Sequence, residues 1–244
     1  AALPKYQSKP FEKYARENPI EINKDAPAFG RKAVIYATCF GNYNNPDIGE
    51  ATRKVLAKNG VETEVVYPGC CGMPLMEQGD LAGVVANAEK VSTELGSWID
   101  QGYDVIALVS SCALMLKFEW PLLAPGNPAV ERLSKATFDV SEYVMEFAKK
   151  EGIAPGHARA QNMGAKGAEI LRLIPDADVK IVERCSGHGG SWGIMKGNYE
   201  IALKVGKPAA RTAMTTNAKY IASECPLAAE HLMQGIEKLD PDAV

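Results

Sequence analysis

No stretch of this chain is long and apolar enough to suggest a membrane span. The longest apolar runs, such as residues 105–109 (VIALV), fall far short of the ~20 residues a bilayer requires. Positive charge is not in excess either: 27 Lys and Arg face 30 Asp and Glu, a formal net charge of −3. That leaves no basic footprint for nucleic acid. Residues 1–13 are polar and contain proline, so no secretory leader is expected there. Six cysteines in 244 residues are too few for a disulfide scaffold, and a chain of this length buries a core without staples. An adjacent pair, Cys70 and Cys71, is awkward for structural disulfides. Thiols kept reduced in a cytosolic compartment and used as soft metal ligands are the first expectation.

What is present is a grammar of short strands and helices. Residues 1–30 carry four prolines and little periodicity, and read as an arm or linker that wraps the domain or joins an upstream module. Residues 32–38 (KAVIYAT) read as a buried strand ending at Cys39. Residues 46–58 read as a helix, with Pro46 at its first position and Asn59-Gly60 as a stop. Residues 62–67 (ETEVVY) form a second predicted strand, running into Gly69-Cys70-Cys71-Gly72. Residues 80–101 have helical spacing through Leu81, Val84, Val85, Ala88, Val91 and Leu95. Residues 104–110 (DVIALVS) are a third predicted strand, near-continuously apolar as a covered parallel strand would be, ending at Ser111-Cys112. Another turn of helix, a loop over 120–128 and a helix over 141–151 follow.

The second half repeats the pattern: a helix over 167–173, a strand over 178–182 ending in Cys185-Ser186-Gly187, a helix from Tyr199 interrupted at Pro208, and a strand over 219–223 ending at Cys225. The step to the next cysteine is 42 residues in the first half (70 to 112) and 40 in the second (185 to 225). An internal duplication is the expectation. The fold class that follows is α/β: two duplicated, Rossmann-like, parallel-sheet halves with cysteines at the carboxyl ends of strands. The domains expected are an arm at 1–30, a first repeat at 31–150 and a second, degenerate repeat at 151–244. A strand equivalent to 32–38 is due near residue 154, and none is written there. Either that half lost a strand or residues are missing between about 155 and 157.

The carboxyl ends of parallel strands share one edge, where ligands bind at strand-order switch points. Cys39, Cys70, Cys71 and Cys112 are therefore expected to converge. Four soft thiolates suit zinc or an iron–sulfur cluster. Adjacent cysteines suit a polynuclear cluster better than one tetrahedral ion, because neighbouring Cβ atoms diverge. Buried small hydrophobes are the bland alternative.

The pattern of Cys39, then Cys70-Cys71-Gly72, then Cys112 resembles the cysteine-rich CCG domain found in the B subunit of heterodisulfide reductase and in related proteins. The nearer resemblance is to the C subunit of anaerobic glycerol-3-phosphate dehydrogenase. It is carried by residues 110–117 (SSCALMLK), by Glu119-Trp120-Pro121, by residues 183–187 (ERCSG) and by residues 157–164 (HARAQNMG). The resemblance implies an electron-transfer protein or component of a larger oxidoreductase, cytoplasmic or peripheral to the inner membrane through a partner. Electrons would pass between a flavoprotein or ferredoxin-like component and a quinone or disulfide. The cofactor implied is a 4Fe-4S cluster, in heterodisulfide reductase of a non-cubane kind with five thiolates, and a second cluster in the second half.

This sequence departs from that pattern. Cys112 has Val109 and Met115 where a partner cysteine would stand, Ser186 replaces the second cysteine of the second half, and Gly156 stands about where its first would be. The second half therefore offers Cys185 and Cys225, with His188 or His157 as further candidates. His231, on a polar terminal helix, is expected to face solvent. Lys117 and Arg184, near cysteines, read either as offsets to thiolate charge or as surface charges. The run Phe118, Trp120, Leu122 and Leu123 reads as a quinone or membrane contact, as core, or as a partner interface. Residues 186–190 (SGHGG) lack the Gly-Lys-Ser/Thr ending of a phosphate loop. Two rival classes stand beside the cluster: a zinc-stabilised, non-redox interaction module and a thiol–disulfide enzyme using Cys70 and Cys71 directly.

Overall fold

A computed structural model describes residues 5–154, 166–189, 192–223 and 225–240. Two compact units divide the chain, residues 5–175 and, among the described residues, 176–240. Each is described by itself.

The first unit is built on four parallel strands in the order β2-β1-β3-β4. The chain opens with α1 (Phe11–Glu17), then β1 (Lys32–Tyr36), α2 (Cys39–Tyr43), α3 (Pro46–Lys58) and β2 (Glu62–Val66). It continues through α4 (Met73–Glu77), α5 (Leu81–Asp100), β3 (Asp104–Ala107) and α6 (Ser110–Leu114). A turn of π-helix (Met115–Glu119) leads into α7 (Trp120–Leu123), α8 (Pro128–Ala136), β4 (Thr137–Asp139), α9 (Val140–Lys150) and α10 (Lys166–Leu171). Ala33, Val34, Ile35 and Tyr36 of β1 and Val105, Ile106 and Ala107 of β3 are wholly buried. That is the burial expected of inner strands covered on both faces. The α5 stripe that meets the core is Val84, Ala88, Val91 and Leu95; Leu81 at its start stays exposed. Asp80 caps this helix by accepting from the Gly83 amide.

Several short elements escape the reading of the sequence, among them α1, α8 and β4. The proline-rich segment contains α1, whose Phe11 is fully buried. A Cβ on Gly49 would lie 2.2 Å from the Phe11 ring, so glycine there makes the ring's seat. Residues 128–136 form α8, capped by Asn127, and residues 137–139 add the short edge strand β4. A three-residue strand carries too little alternation to be seen.

The second unit holds α11 (Tyr199–Thr215) and α12 (Pro226–Leu239), after a 3-10 turn (Trp192–Ile194). Ala210, Ala213 and Ile236 form its small core, with Met214, Leu232 and Leu239 packed on it. Two expectations are corrected here. The strands predicted over 178–182 and 219–223 are irregular, and Ile181, Tyr220 and Ile221 are exposed. A β-strand needs a neighbour for its backbone groups, and the described residues of this unit supply none. The two-half sheet duplication is thus not seen among the described residues: one half has the sheet. Pro208 does not interrupt α11, which runs on to Thr215. The helix is held by burial of Ala202, Leu203, Ala209, Ala210 and Ala213, which outweighs the missing amide of one residue. Near residue 154, where a strand equivalent to β1 is due, residues 152–154 are irregular; residues 155–157, the place of the alternative gap in the chain, lie outside the described residues, as does His157.

Candidate metal centre

The register sets the site. Tyr36 pairs with Val66 on one side and Ala107 on the other, so the carboxyl ends of β2, β1 and β3 are level. The chain runs out from β1 to β2 and returns across β1 to β3, which makes the gap between β1 and β3 the switch point. Cys39 leaves β1 there, Cys70 and Cys71 leave β2, and Cys112 leaves β3 on α6.

The four sulfurs are brought together. Cys71 Sγ lies 3.2 Å from Cys112 Sγ. Cys70 lies beside the thiols of Cys39 and Cys71 and accepts a hydrogen bond from the Gly72 amide at 3.4 Å. Sulfur contacts thus link Cys39, Cys70, Cys71 and Cys112 in series. Cys71 and Cys112 are buried, whereas Cys39 and Cys70 are half-buried. These contacts sort the protons. Hydrogen bonds received from Cys39 and Cys71 hold Cys70 far below the ordinary thiol range. Donation to Cys70, then burial, pushes Cys39 up. Donation to Cys112, contact with Cys70 and burial do the same for Cys71. Four thiolates this close cannot all be ionised without cations among them.

Local backbone conformation places these groups. Gly72 sits at φ +81° against Val84 of α5, a left-handed conformation that glycine adopts without penalty. Thr38 also has positive φ, +57°. A β-branched residue there is strained. Its Oγ1 accepts from the Gly41 amide at 3.2 Å and caps the turn carrying Cys39. Two wholly buried aromatic donors reach the Cys70-Cys71 loop: Tyr36 Oη donates to the Gly69 carbonyl at 2.7 Å and Trp120 Nε1 to the Cys71 carbonyl at 3.0 Å. Burial, then the nearby cysteines, holds the Tyr36 hydroxyl in its protonated, donating form. Sequence reasoning missed both roles. Trp120 was visible inside the 118–123 run, which the fold splits: Trp120 is core while Phe118 and Leu122 are exposed. Lys117 is not committed to the sulfurs; it pairs with Glu142 at 2.7 Å. Arg184 is exposed.

In the second unit, Cys185 is exposed and Cys225 half-buried at the N-cap of α12. His188 joins part of the set: its Nδ1 is 2.8 Å from Ser186 Oγ and its Nε2 is 3.7 Å from Cys225 Sγ. The turn after Cys185 copies the one after Cys70. Gly187 has φ +83° and donates its amide to Cys185 Sγ at 3.4 Å. A Cβ on Gly187 would meet the Ala202 carbonyl of α11 at 2.2 Å. His231, expected in solvent, is buried with its ring edge-on to Tyr199.

Whether these residues fit a metal group turns on the donor set. Among the described residues, no three His, Cys, Asp or Glu side chains are disposed to hold a single metal ion. The sulfurs of the first unit are instead strung together in mutual contact, all soft and all of one kind. Such a set fits a thiophilic centre of several metal atoms.

A family model described as a cysteine-rich domain, CCG, matches residues 33–117 and again 154–231. The chain belongs to the CCG cysteine-rich domain family. It is 26% identical over 240 residues to the C subunit of anaerobic glycerol-3-phosphate dehydrogenase from Escherichia coli, covering 91% of this chain and 59% of that one. It is also 26% identical over 251 residues to the D subunit of the dihydromethanophenazine:CoB–CoM heterodisulfide reductase from Methanosarcina acetivorans, covering 91% and 58%. An iron–sulfur protein of Methanococcus maripaludis is 25% identical over 253 residues, covering 97% and 47%. The chain spans about half the length of these curated relatives. No solved structure matches it. The CCG run 69–72 lies within the first match and the Cys185-Ser186-Gly187 run within the second. The relatives are components of oxidoreductases, or iron–sulfur proteins, by name. No described helix is long and apolar enough to cross a membrane.

Proposed function

We propose that this CCG-domain protein is an iron–sulfur electron-transfer component of a larger oxidoreductase. On this reading Cys39, Cys70, Cys71 and Cys112 hold a 4Fe-4S cluster. The observation that carries it is the contact of four cysteine sulfurs, 73 residues apart at the extremes, along the switch-point edge of the sheet. When bound, the cluster supplies one-electron redox chemistry. The chain's own groups do the rest. Cys71 and Cys112, in the core, keep water from the inner side. Cys39 and Cys70, half-buried, form the outer side, where a redox partner would approach. Cys185, Cys225 and His188 are assigned to a subsidiary site on the same reading, supported by the contact between His188 and Cys225.

The partners that suit this role are a flavoprotein or ferredoxin-like component as one electron carrier and a quinone or a disulfide as the other. The names of the relatives, one a component of a dehydrogenase and one of a heterodisulfide reductase, support that placement. Cytoplasmic residence, peripheral to the inner membrane through a partner, goes with the same reading. The test is iron, sulfide and zinc analysis with EPR on anaerobically prepared protein. Iron and sulfide at about four each per chain, with an EPR signal on reduction, are expected. Colourless protein with one zinc per chain would establish the interaction module instead. Titratable thiols with no bound metal would establish the thiol–disulfide enzyme.

A further inference from the structure

We infer that Tyr36 and Trp120 are positioning residues for the cluster, pinning the Gly69–Cys71 backbone and raising the reduction potential of the centre it holds. This rests on the reading of Cys39, Cys70, Cys71 and Cys112 as cluster ligands. The carbonyls of Gly69 and Cys71 bracket the two adjacent cysteines. Each accepts a hydrogen bond from a side chain with no exposed surface, Tyr36 at 2.7 Å and Trp120 at 3.0 Å. The donors come from elsewhere in the unit. Tyr36 is the last residue of β1, just before Cys39, and Trp120 opens α7, shortly after Cys112. The segments that carry the outer two ligands therefore brace the loop that carries the middle two. The loop needs this. Residues 67–72 lie in neither strand nor helix, and its two glycines have no side chain with which to anchor it. A buried carbonyl stripped of its donor is left unsatisfied.

Electrostatics give the direction of the effect. The O–H and N–H dipoles point their positive hydrogens into the loop. Reduction adds negative charge beside that loop, so these dipoles, which bond to the loop's carbonyls and not to its sulfurs, favour the reduced state. Removing either donor makes reduction harder. It also frees the loop to rock and release metal.

The experiment uses the full chain reconstituted anaerobically with iron and sulfide. Wild type is compared with Tyr36→Phe, Trp120→Phe and, as a control, Tyr143→Phe, which alters another buried tyrosine, one packed on Phe138 and Phe147. Iron content, the midpoint potential from EPR redox titration, and the rate of iron loss to a chelator are read. Tyr36→Phe keeps the ring and the core filled. Both loop variants are expected to load iron, to shift to a more negative potential and to lose iron roughly tenfold faster. The control is expected to keep the wild-type potential. Iron bound at unchanged potential and loss rate in Tyr36→Phe and Trp120→Phe overturns the inference and leaves the cluster reading standing. Tyr36→Phe alone decides if Trp120→Phe does not fold. An equal shift in the Tyr143→Phe control also overturns it, since the effect would then be general loosening. A wild-type chain that takes up no iron overturns the cluster reading itself, and this inference with it.

Discussion

Residues 33–117 and 154–231 match the same family model, yet the two stretches do different things with it. The first brings four sulfurs into mutual contact above a parallel sheet. The second keeps the Cys-x-Gly turn, with the same glycine conformation and the same amide-to-sulfur bond of 3.4 Å, but sets it in an irregular run with Cys185 exposed. The contrast separates two layers of the design. The turn is local: a left-handed glycine and a sulfur two residues earlier suffice, and a following helix packs against the glycine in both cases, α5 in one and α11 in the other. Convergence of sulfurs is not local. It depends on level strands that deliver distant residues to one edge, and β1, between β2 and β3, is what makes them level.

The largest expected effect tests that contrast directly. Cys71 is buried and touches the sulfurs on either side of it in the series. Cys71→Ala is expected to abolish the EPR signal of the first site and take its iron to background, whereas Cys185→Ala leaves that signal in place. Equal losses from both variants would show that the two stretches build one site and would break the comparison.

A second contrast lies in the cores. Phe11 fills a seat made by Gly49 and is fully buried, so Phe11→Ala is expected to destabilise the first unit by about 3–5 kcal/mol. Ile236 belongs to a core of three buried residues. Ile236→Ala is expected to cost about 2 kcal/mol, the low end for such a change, because a small core collapses around the gap. Urea unfolding followed separately by probes in each unit measures both. A larger loss from the isoleucine would reverse the ranking of the units.

How much of this was legible follows the same division. The helix at residues 46–58 could be read because Pro46 and Asn59-Gly60 are local punctuation, and its bounds match. The inner strands β1 and β3 could be read because covered parallel strands are near-continuously apolar, and β2 from its β-branched run, whereas β4 was too short to read. Each of β1, β2 and β3 ends a little earlier than its run suggests, since the last residues already turn toward the cysteines. The convergence of Cys39, Cys70, Cys71 and Cys112 was legible through the edge rule for parallel sheets. The strands expected over 178–182 and 219–223 failed for the complementary reason: an apolar run proposes a strand, but a neighbouring strand has to accept it. The two aromatic donors at the loop carry no spacing signal at all. Tyr36 looked like one more apolar strand residue and Trp120 like one more in an apolar run. What they donate to is fixed by tertiary structure alone.

A smaller effect is expected at Thr38, where the backbone before Cys39 is strained. Thr38→Gly relieves about 1–3 kcal/mol of strain. It gives back about 1 kcal/mol through lost capping and added freedom in the unfolded chain. A net gain of about 1 kcal/mol in the metal-free protein is expected, seen as a rise in the denaturation midpoint. A fall in the midpoint would show that the threonine cap outweighs the strain. Among the described residues of the second unit, none repeats this arrangement beside Cys185, where the positive φ values nearby belong to glycines. The positive-φ non-glycine residues of the second unit, Asp176 and Asn217, are of types that adopt this conformation more readily and do not adjoin a cysteine.

The smallest effect is expected at Cys225. Its sulfur is half-buried and 3.7 Å from His188 Nε2, a long contact beside the 3.2 Å between Cys71 and Cys112. Cys225→Ala is expected to move stability by no more than about 0.5 kcal/mol. The first-site EPR signal and its iron should be unchanged, with any iron lost amounting to less than half the total. The physical reason is ligand number. On the proposed reading the second stretch offers three donors, Cys185, His188 and Cys225, with Cys185 exposed, and three donors so placed hold metal more weakly than the four sulfurs of the first site, two of them buried. Loss of half the iron in this variant would mean that the second stretch assembles a complete site with ligands beyond those three. The comparison would then be between two working centres reached by different scaffolds, one through a sheet and one without.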